Sequence, residues 1–183
     1  MRNYRKYTEE QIFLPIVILI LGLISFLMIF TNALILKVDY LVQVGQMPQY
    51  VPITDYFKGF NLAFKIGTGE VGYKYYSFMA SISYFIPLLF GVLVNIKLGK
   101  VPKYLVYFVA AFFLMVIPII YLIRLNGIVS ELKEIIEIES ILLGKKYQNL
   151  IIKIETGAII HAALAIIAGL FSIYAGRLSL LVK

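Results

Sequence analysis

Four long stretches without a charged residue dominate the pattern of apolar and polar positions along this chain. They cover residues 11–36, 75–96, 104–123 and 156–176. A helix needs about 20 apolar residues to cross roughly 30 Å of hydrocarbon, and each stretch reaches that length. The pattern predicts an all-α integral membrane protein in which residues 1–183 form a single membrane domain. Its four-transmembrane-helix bundle would have spans at about 12–36, 75–96, 101–123 and 156–176.

The predicted extracytoplasmic segment 37–74 is too long for a plain connection between two helices. Two runs within it, KVDYLVQV (37–44) and FNLAFKI (60–66), alternate apolar and polar positions with a period of two. That period is typical of extended strands. We therefore predict a small β-like structure in this first loop.

Gly67, Gly69 and Gly72 spell G-x-G-x-x-G, a pattern that also occurs in dinucleotide-binding folds. Such a site requires a helix directly after the glycines and a following strand in a parallel unit. Here the chain continues into a membrane span instead, and Glu70 places a carboxylate where phosphates would bind. We interpret residues 67–70 as a hairpin turn in which glycine supplies a positive φ, and we expect no nucleotide.

The second extracytoplasmic segment, 124–155, contains good helix formers, and Gly144 is a typical helix stop. We predict a helical hairpin that projects from the membrane as a continuation of spans three and four. The alternative is that residues 128–155 form an amphipathic helix that lies flat on the outer leaflet.

Charge distribution indicates the orientation. The formal net charge of +7 is concentrated in segments 1–10, 97–103 and 177–183, which hold eight Lys or Arg and two acids. Because cytoplasmic segments of membrane proteins are enriched in Lys and Arg, both termini are predicted to be cytoplasmic in a cell membrane. The basic excess then reflects topology and attraction to the lipid bilayer, and no nucleic-acid partner is expected.

The spans offer little material for catalysis or transport. The four charge-free stretches contain no Asp, Glu or Lys, and the chain has no Cys. His161, the only histidine, is the one candidate intramembrane polar site, because ionisable residues inside a membrane are often functional. The alternative is a neutral histidine that bonds to an adjacent helix. We expect no enzyme, cofactor or metal, since a metal needs three or four ligands.

Span four presents a stripe of small residues, which lets another helix approach closely. The pattern does not identify the partner helix. The predicted helix-packing residues are Gly157, Ala165, Ala168, Gly169, Ser172 and Gly176.

The layout has inner termini, a long and partly β-like first outer loop, a short inner loop and a second outer segment. It is similar in outline to the claudin-like four-span proteins. The resemblance covers topology only: the outer-loop tryptophan and cysteine signature of those proteins is missing, since the chain has neither residue. It therefore implies no site residue and no activity. The abundance of Ile, Lys and Tyr is typical of an AT-rich bacterial genome.

The leading functional hypothesis is a non-catalytic multi-pass protein that presents an extracytoplasmic surface to a partner protein or membrane-complex subunit. It rests on the 70 residues predicted outside, against about 24 inside. An oligomeric pore or transport subunit is the alternative, and a lipid-modifying enzyme with His161 as its base comes third. Aromatic side chains supply much of the energy of protein interfaces. The candidate partner surface therefore consists of Tyr50, Tyr56, Phe57, Phe60 and Tyr73, although Phe60 also fits the core of the outer sheet.

Overall fold

The computed structural model describes residues 2–44, 47–67, 75–144 and 146–181. Most of these residues are helical. The helices are α1 (Arg2–Leu27), α2 (Gly59–Phe64), α3 (Phe78–Leu93), α4 (Lys103–Leu143) and α5 (Thr156–Leu181). The strands are β1 (Asn32–Val44), β2 (Met47–Lys58) and β3 (Tyr147–Ile154). The predicted all-α class is therefore wrong, although the first loop predicted to be β-like contains β2 and most of β1.

Three helical segments of the described chain are long and apolar enough to cross a membrane, which supports a membrane location. They are Glu9–Phe30, Lys103–Leu142 and Thr156–Leu181. The remaining predicted span, 75–96, corresponds to α3, which is apolar but only 16 residues long. At 1.5 Å per residue, α3 extends about 24 Å, which is shorter than a typical hydrocarbon core.

We call α1, α3, α4 and α5 the four long helices, to distinguish them from the six-residue α2. They form a ring in which α1 and α4 each pack against both α3 and α5. Glycines lie where the backbones of α1 and α3 come closest to each other. Gly22 of α1 lies against the backbone carbonyl of Pro87 in α3, and a Cβ on Gly91 would lie 3.1 Å from the Cα of Leu19. The helices therefore touch through backbone as well as side chains.

The helices alternate in direction, so both termini lie at one end of the ring. At this terminal end, Asn95 after α3 donates a 2.9 Å hydrogen bond to the Pro15 carbonyl in α1. At the opposite end, Gly157 at the start of α5 contacts Thr31 and Asn32, where α1 gives way to β1. We call this the sheet end, because the three strands continue from it.

The antiparallel sheet has the order β2-β1-β3. Side chains alternate between its two faces. One face, with Leu34, Leu36 and Val38 of β1, belongs to a core cluster that also contains the part of α4 nearest the sheet. The buried α4 residues of that cluster are Tyr121, Leu125, Ile128, Leu132 and Ile136. The other face of the sheet is largely exposed, and we call it the outer sheet face.

The first predicted span was too long at its C-terminal end. Helix α1 ends at Leu27, and Ala33 to Leu36 belong to β1, where all four are buried. An uninterrupted apolar run does not distinguish burial in lipid from burial between a sheet and helices, because both select the same side chains.

The strand predicted for FNLAFKI is also wrong, because residues 59–64 form α2. Phe60 and Phe64 are four residues apart, so a helix places them on one face, with ring centroids 4.7 Å apart. The Asn61 side chain accepts a hydrogen bond from the Lys58 backbone N–H at 2.9 Å, which caps the first turn. The spacing of Phe60 and Phe64 is compatible with both a strand and a helix, so the apolar pattern does not decide between them. The cap on the first turn favours the helix.

The segment predicted to form a projecting helical hairpin, 124–155, consists of the C-terminal part of α4 followed by strand β3. Helix α4 runs 41 residues without interruption, about 60 Å, which is twice the hydrocarbon thickness. It ends as predicted at Gly144, whose φ of 61° is readily adopted by glycine. The returning arm, however, is β3, which pairs with β1 so that Ile152 lies opposite Leu36. Its four isoleucine and leucine residues within YQNLIIKI suit a strand on a half-buried sheet.

Candidate functional site

His161 lies in α5 and is completely buried between helices. Its Nδ1 atom is 3.0 Å from the backbone carbonyl of Ser25 in α1. A carbonyl can only accept, so Nδ1 carries the proton in this arrangement. The other ring nitrogen, Nε2, lies 2.9 Å from the hydroxyl of Ser83 in α3. In a neutral imidazole with its proton on Nδ1, Nε2 accepts a hydrogen bond from that hydroxyl.

Two buried tyrosines complete this polar cluster. The ring of Tyr84 is tilted against the imidazole at a centroid distance of 4.2 Å, and Tyr121 of α4 meets it edge-on at 5.8 Å. The two tyrosine hydroxyls are 3.1 Å apart and hydrogen-bond to each other. Through His161, the cluster links α5 to each of the other three long helices.

The Ser83 hydroxyl donating to a neutral histidine resembles the pairing of a nucleophile with its base. Both residues are completely buried, however, and so are Ser25, Tyr84 and Tyr121. The Ser83 hydroxyl is therefore enclosed by protein on all sides. The arrangement instead satisfies polar groups between helices, which favours the packing interpretation of His161.

The small residues predicted on span four are all buried. Their partners, which the sequence did not identify, are α4 and the junction between α1 and β1. A Cβ on Gly169 would meet Met115 at 2.6 Å, and one on Gly176 would meet Phe108 at 3.3 Å. Gly157 is instead enclosed by Thr31 and Asn32. This face therefore packs within the chain.

The predicted aromatic surface is divided by the fold. Tyr50 and Tyr56 lie on the outer sheet face and are 40% and 48% exposed. Phe57 is completely buried, opposite Leu34, and therefore belongs to the core. Phe60 is partly buried and stacks on Phe30 at 5.9 Å. Tyr73 lies outside the described residues, as do Gly69 and Gly72 of the glycine pattern.

Lysines accompany the tyrosines on the outer sheet face. Lys37 of β1 pairs with Thr54 on one side and Ile151 on the other. Lys153 follows two residues after Ile151 on the same face, and both lysines are exposed. The sequence pattern identified the tyrosines but not the lysines, because only the strand register brings Lys37 and Lys153 together.

A separate polar cluster connects the chain before α3 to α4. Arg124 forms an ion pair with Glu131 two turns along α4, with 2.5 Å between Nη1 and Oε1. Its Nη2 atom also donates to the Tyr75 hydroxyl at 3.0 Å, and that hydroxyl bonds to Glu131. Both charged side chains are about 40% exposed, so the ion pair contributes no more than about 1 kcal/mol.

Within the described part of the chain, no group of three His, Asp or Glu side chains could hold a metal ion. The sequence matches no protein-family model and no curated protein.

Proposed function

We propose that this chain is a non-catalytic multi-pass membrane protein whose outer sheet face binds a partner protein or membrane-complex subunit. The observation that carries the proposal is the exposure of Tyr50 and Tyr56 on β2, a strand that the buried residues Asp55 and Phe57 hold at its C-terminal end. Exposed aromatic side chains on rigid elements are typical anchors of protein interfaces.

The sheet supports such a surface because its backbone is fixed from behind. Phe57 lies between Tyr56 and Lys58 and is buried in the core shared with α4. A partner would therefore order few residues on binding, which lowers the entropic cost of association. Lys37 and Lys153 add positive charge, so a partner with carboxylates at matching positions is favoured.

We further propose that all four long helices cross the membrane, with the terminal end in the cytoplasm. Alternating helix directions and the basic residues at the terminal end support this orientation. Helix α3, the shortest of the four, would then span a locally thinned bilayer or a region shielded by α1 and α4. The outer sheet face would lie outside the cell.

The orientation predicts opposite labelling of two engineered cysteines, and the chain has no natural cysteine to interfere. A cysteine at exposed Lys146 should react with an impermeant maleimide in intact cells. A cysteine at exposed Lys100 should react only after the membrane is permeabilised. The reverse pattern would place the sheet in the cytoplasm and remove the basis for an extracellular partner.

Partner binding is testable by replacing Tyr56 with a photoreactive amino acid in the full-length protein and irradiating intact cells. We expect a crosslinked product of defined mass. The same substitution at Tyr76, which is 48% exposed but precedes α3 outside the sheet, is the matched control. A second substitution, Tyr50→Ala, should lower the Tyr56 crosslinking yield at least several-fold, because interface tyrosines often contribute 1–2 kcal/mol or more.

Mass spectrometry of the product identifies the occupant of the surface. A different protein supports the proposal, and a second copy of this chain would favour the oligomeric alternative. Equal, diffuse crosslinking from Tyr56 and Tyr76 would show that the outer sheet face has no specific partner.

A further inference from the structure

The turn between α3 and α4 forms an open surface pocket of about 370 Å³ at the terminal end of the ring, and we call this pocket the cavity. It contains two lysine side chains within a mostly apolar lining, and none of its described lining residues is acidic. The lining consists of Asn95, Ile96, Lys97, Leu98, Gly99, Val101, Lys103 and Val106. Its composition suits a ligand with a negatively charged group and an apolar body.

The cavity lies at the edge of the membrane-spanning region. Lys103 is the first residue of the long apolar segment Lys103–Leu142. On the other side, Asn95 bonds to the carbonyl of Pro15, which lies within the apolar segment Glu9–Phe30. A phospholipid in the adjacent leaflet would have its headgroup at this depth and its acyl chains beside the helices.

Two features of the backbone add to the positive potential there. Helix α4 begins at Lys103, and its first N–H groups give this end a partial positive charge. The preceding residue, Pro102, provides no side-chain cap. Lys100 is exposed in the same turn, so a third positive charge is close by.

A second groove at the terminal end provides a contrast. It is lined by Glu9 and Glu10 together with apolar residues of α1. Its carboxylates would repel an anion, whereas the cavity with Lys97 and Lys103 would attract one. The distribution of charge therefore distinguishes the anion-compatible cavity from the acidic groove at the same end of the ring.

We propose that this cavity binds a phosphate group, and that its apolar lining selects the phosphate of an anionic phospholipid. The proposal does not depend on the partner surface, which lies at the sheet end. Lysine binds phosphate as a point charge, so two lysines suit a headgroup with a single phosphate. Bound lipid would fix the turn between α3 and α4 at the membrane boundary.

The test uses the purified full-length protein in detergent, titrated with phosphatidylglycerol or phosphatidylcholine and monitored by native mass spectrometry. We expect tighter binding of phosphatidylglycerol. The double variant K97Q/K103Q should weaken that binding by about 30-fold, or about fivefold per lysine. The matched control K37Q/K153Q removes the same charge from the outer sheet face and should bind normally. Unchanged binding by K97Q/K103Q, or equal losses in both variants, would overturn the proposal.

A steric pair of variants tests the cavity without changing charge. Val106→Phe should fill the cavity and lower phosphatidylglycerol binding. Val109→Phe, one turn along α4 at a position 42% exposed, should not. Equal binding by these two variants would contradict a role for the cavity, provided that both retain the thermal stability of the unmodified protein.

A final experiment distinguishes the phosphate of a phospholipid from free inorganic phosphate. Inorganic phosphate is added to the delipidated protein and followed by calorimetry. Lipid binding without measurable phosphate binding supports the phospholipid, because the apolar lining then contributes. Tight binding of inorganic phosphate that K97Q/K103Q abolishes would support a phosphate site but overturn the selection of a lipid. Binding of neither ligand would refute the site.

Discussion

Replacing Gly157 with alanine should destabilise the protein by about 1–3 kcal/mol, which is the usual cost of forcing an extra methyl group into a packed core. The new Cβ would overlap the Thr31 side chain and the Asn32 backbone carbonyl. Thr31 Oγ1 already donates to the Met28 carbonyl at 2.6 Å, so its rotation would break a hydrogen bond. The measurement is thermal unfolding of the purified protein in detergent.

Gly127→Ala is the matched control for this prediction. Gly127 is also a helical glycine, but an added Cβ would meet only Nη1 of Arg124, at 3.0 Å. This atom pairs with Glu131, and the ion pair is half-exposed, so a small displacement of it costs little. Alanine favours helix over glycine by up to about 1 kcal/mol, so this variant should be neutral or more stable. If Gly157→Ala proved as stable as Gly127→Ala, the junction between α1, β1 and α5 would be looser than the structure indicates.

Helix boundaries were predicted correctly from the sequence where a single physical constraint determines them. Thr156 begins α5 at the predicted boundary, because a glutamate precedes an uninterrupted apolar run there. Gly144 likewise ends α4, since few other residues adopt a positive φ without strain. The burial of the small residues on α5 also follows from their spacing, although their partner helix does not.

The predictions failed where two environments select the same residues. Ala33 to Leu36 are apolar because β1 is buried on both faces near the ring, and lipid would have selected similar side chains. The pairing of β3 with β1 joins residues more than 100 positions apart, such as Leu36 and Ile152. Local periodicity contains no information about such a partner, so the returning arm was predicted as helix.

The residues around His161 could not be found for the same reason. Ser25, Ser83 and Tyr121 come from three different helices. Serine is also common where helices pack closely, so its presence in a span does not indicate a histidine partner. The local sequence predicts only that Gly157 and Ala165, one turn to either side of His161, lie on the same helix face as the histidine. The hydrogen-bond partners depend on how the helices are rotated in the ring.

Replacing His161 with leucine should destabilise the protein by roughly 1–4 kcal/mol. Leucine would leave the Ser83 hydroxyl and the Ser25 carbonyl without their imidazole partner, and an interhelical hydrogen bond in a membrane is worth roughly 0.6–2 kcal/mol. Ser83→Ala should cost about one such bond. Ser172→Ala is the control and should have little effect, because the Ser172 hydroxyl bonds to the Ala168 carbonyl of its own helix, at 2.9 Å.

His161→Asn distinguishes packing from proton transfer. Asparagine retains a donor and an acceptor but does not titrate, so a packing role predicts stability closer to the unmodified protein than to His161→Leu. It also predicts an undiminished crosslink from the photoreactive group at position 56, because the outer sheet face is supported by the core rather than by the imidazole. A proton-transfer role predicts that asparagine and leucine abolish cellular function alike. A stable, correctly inserted His161→Asn protein that retains its crosslink but has lost cellular function would therefore exclude packing as the sole role of this histidine.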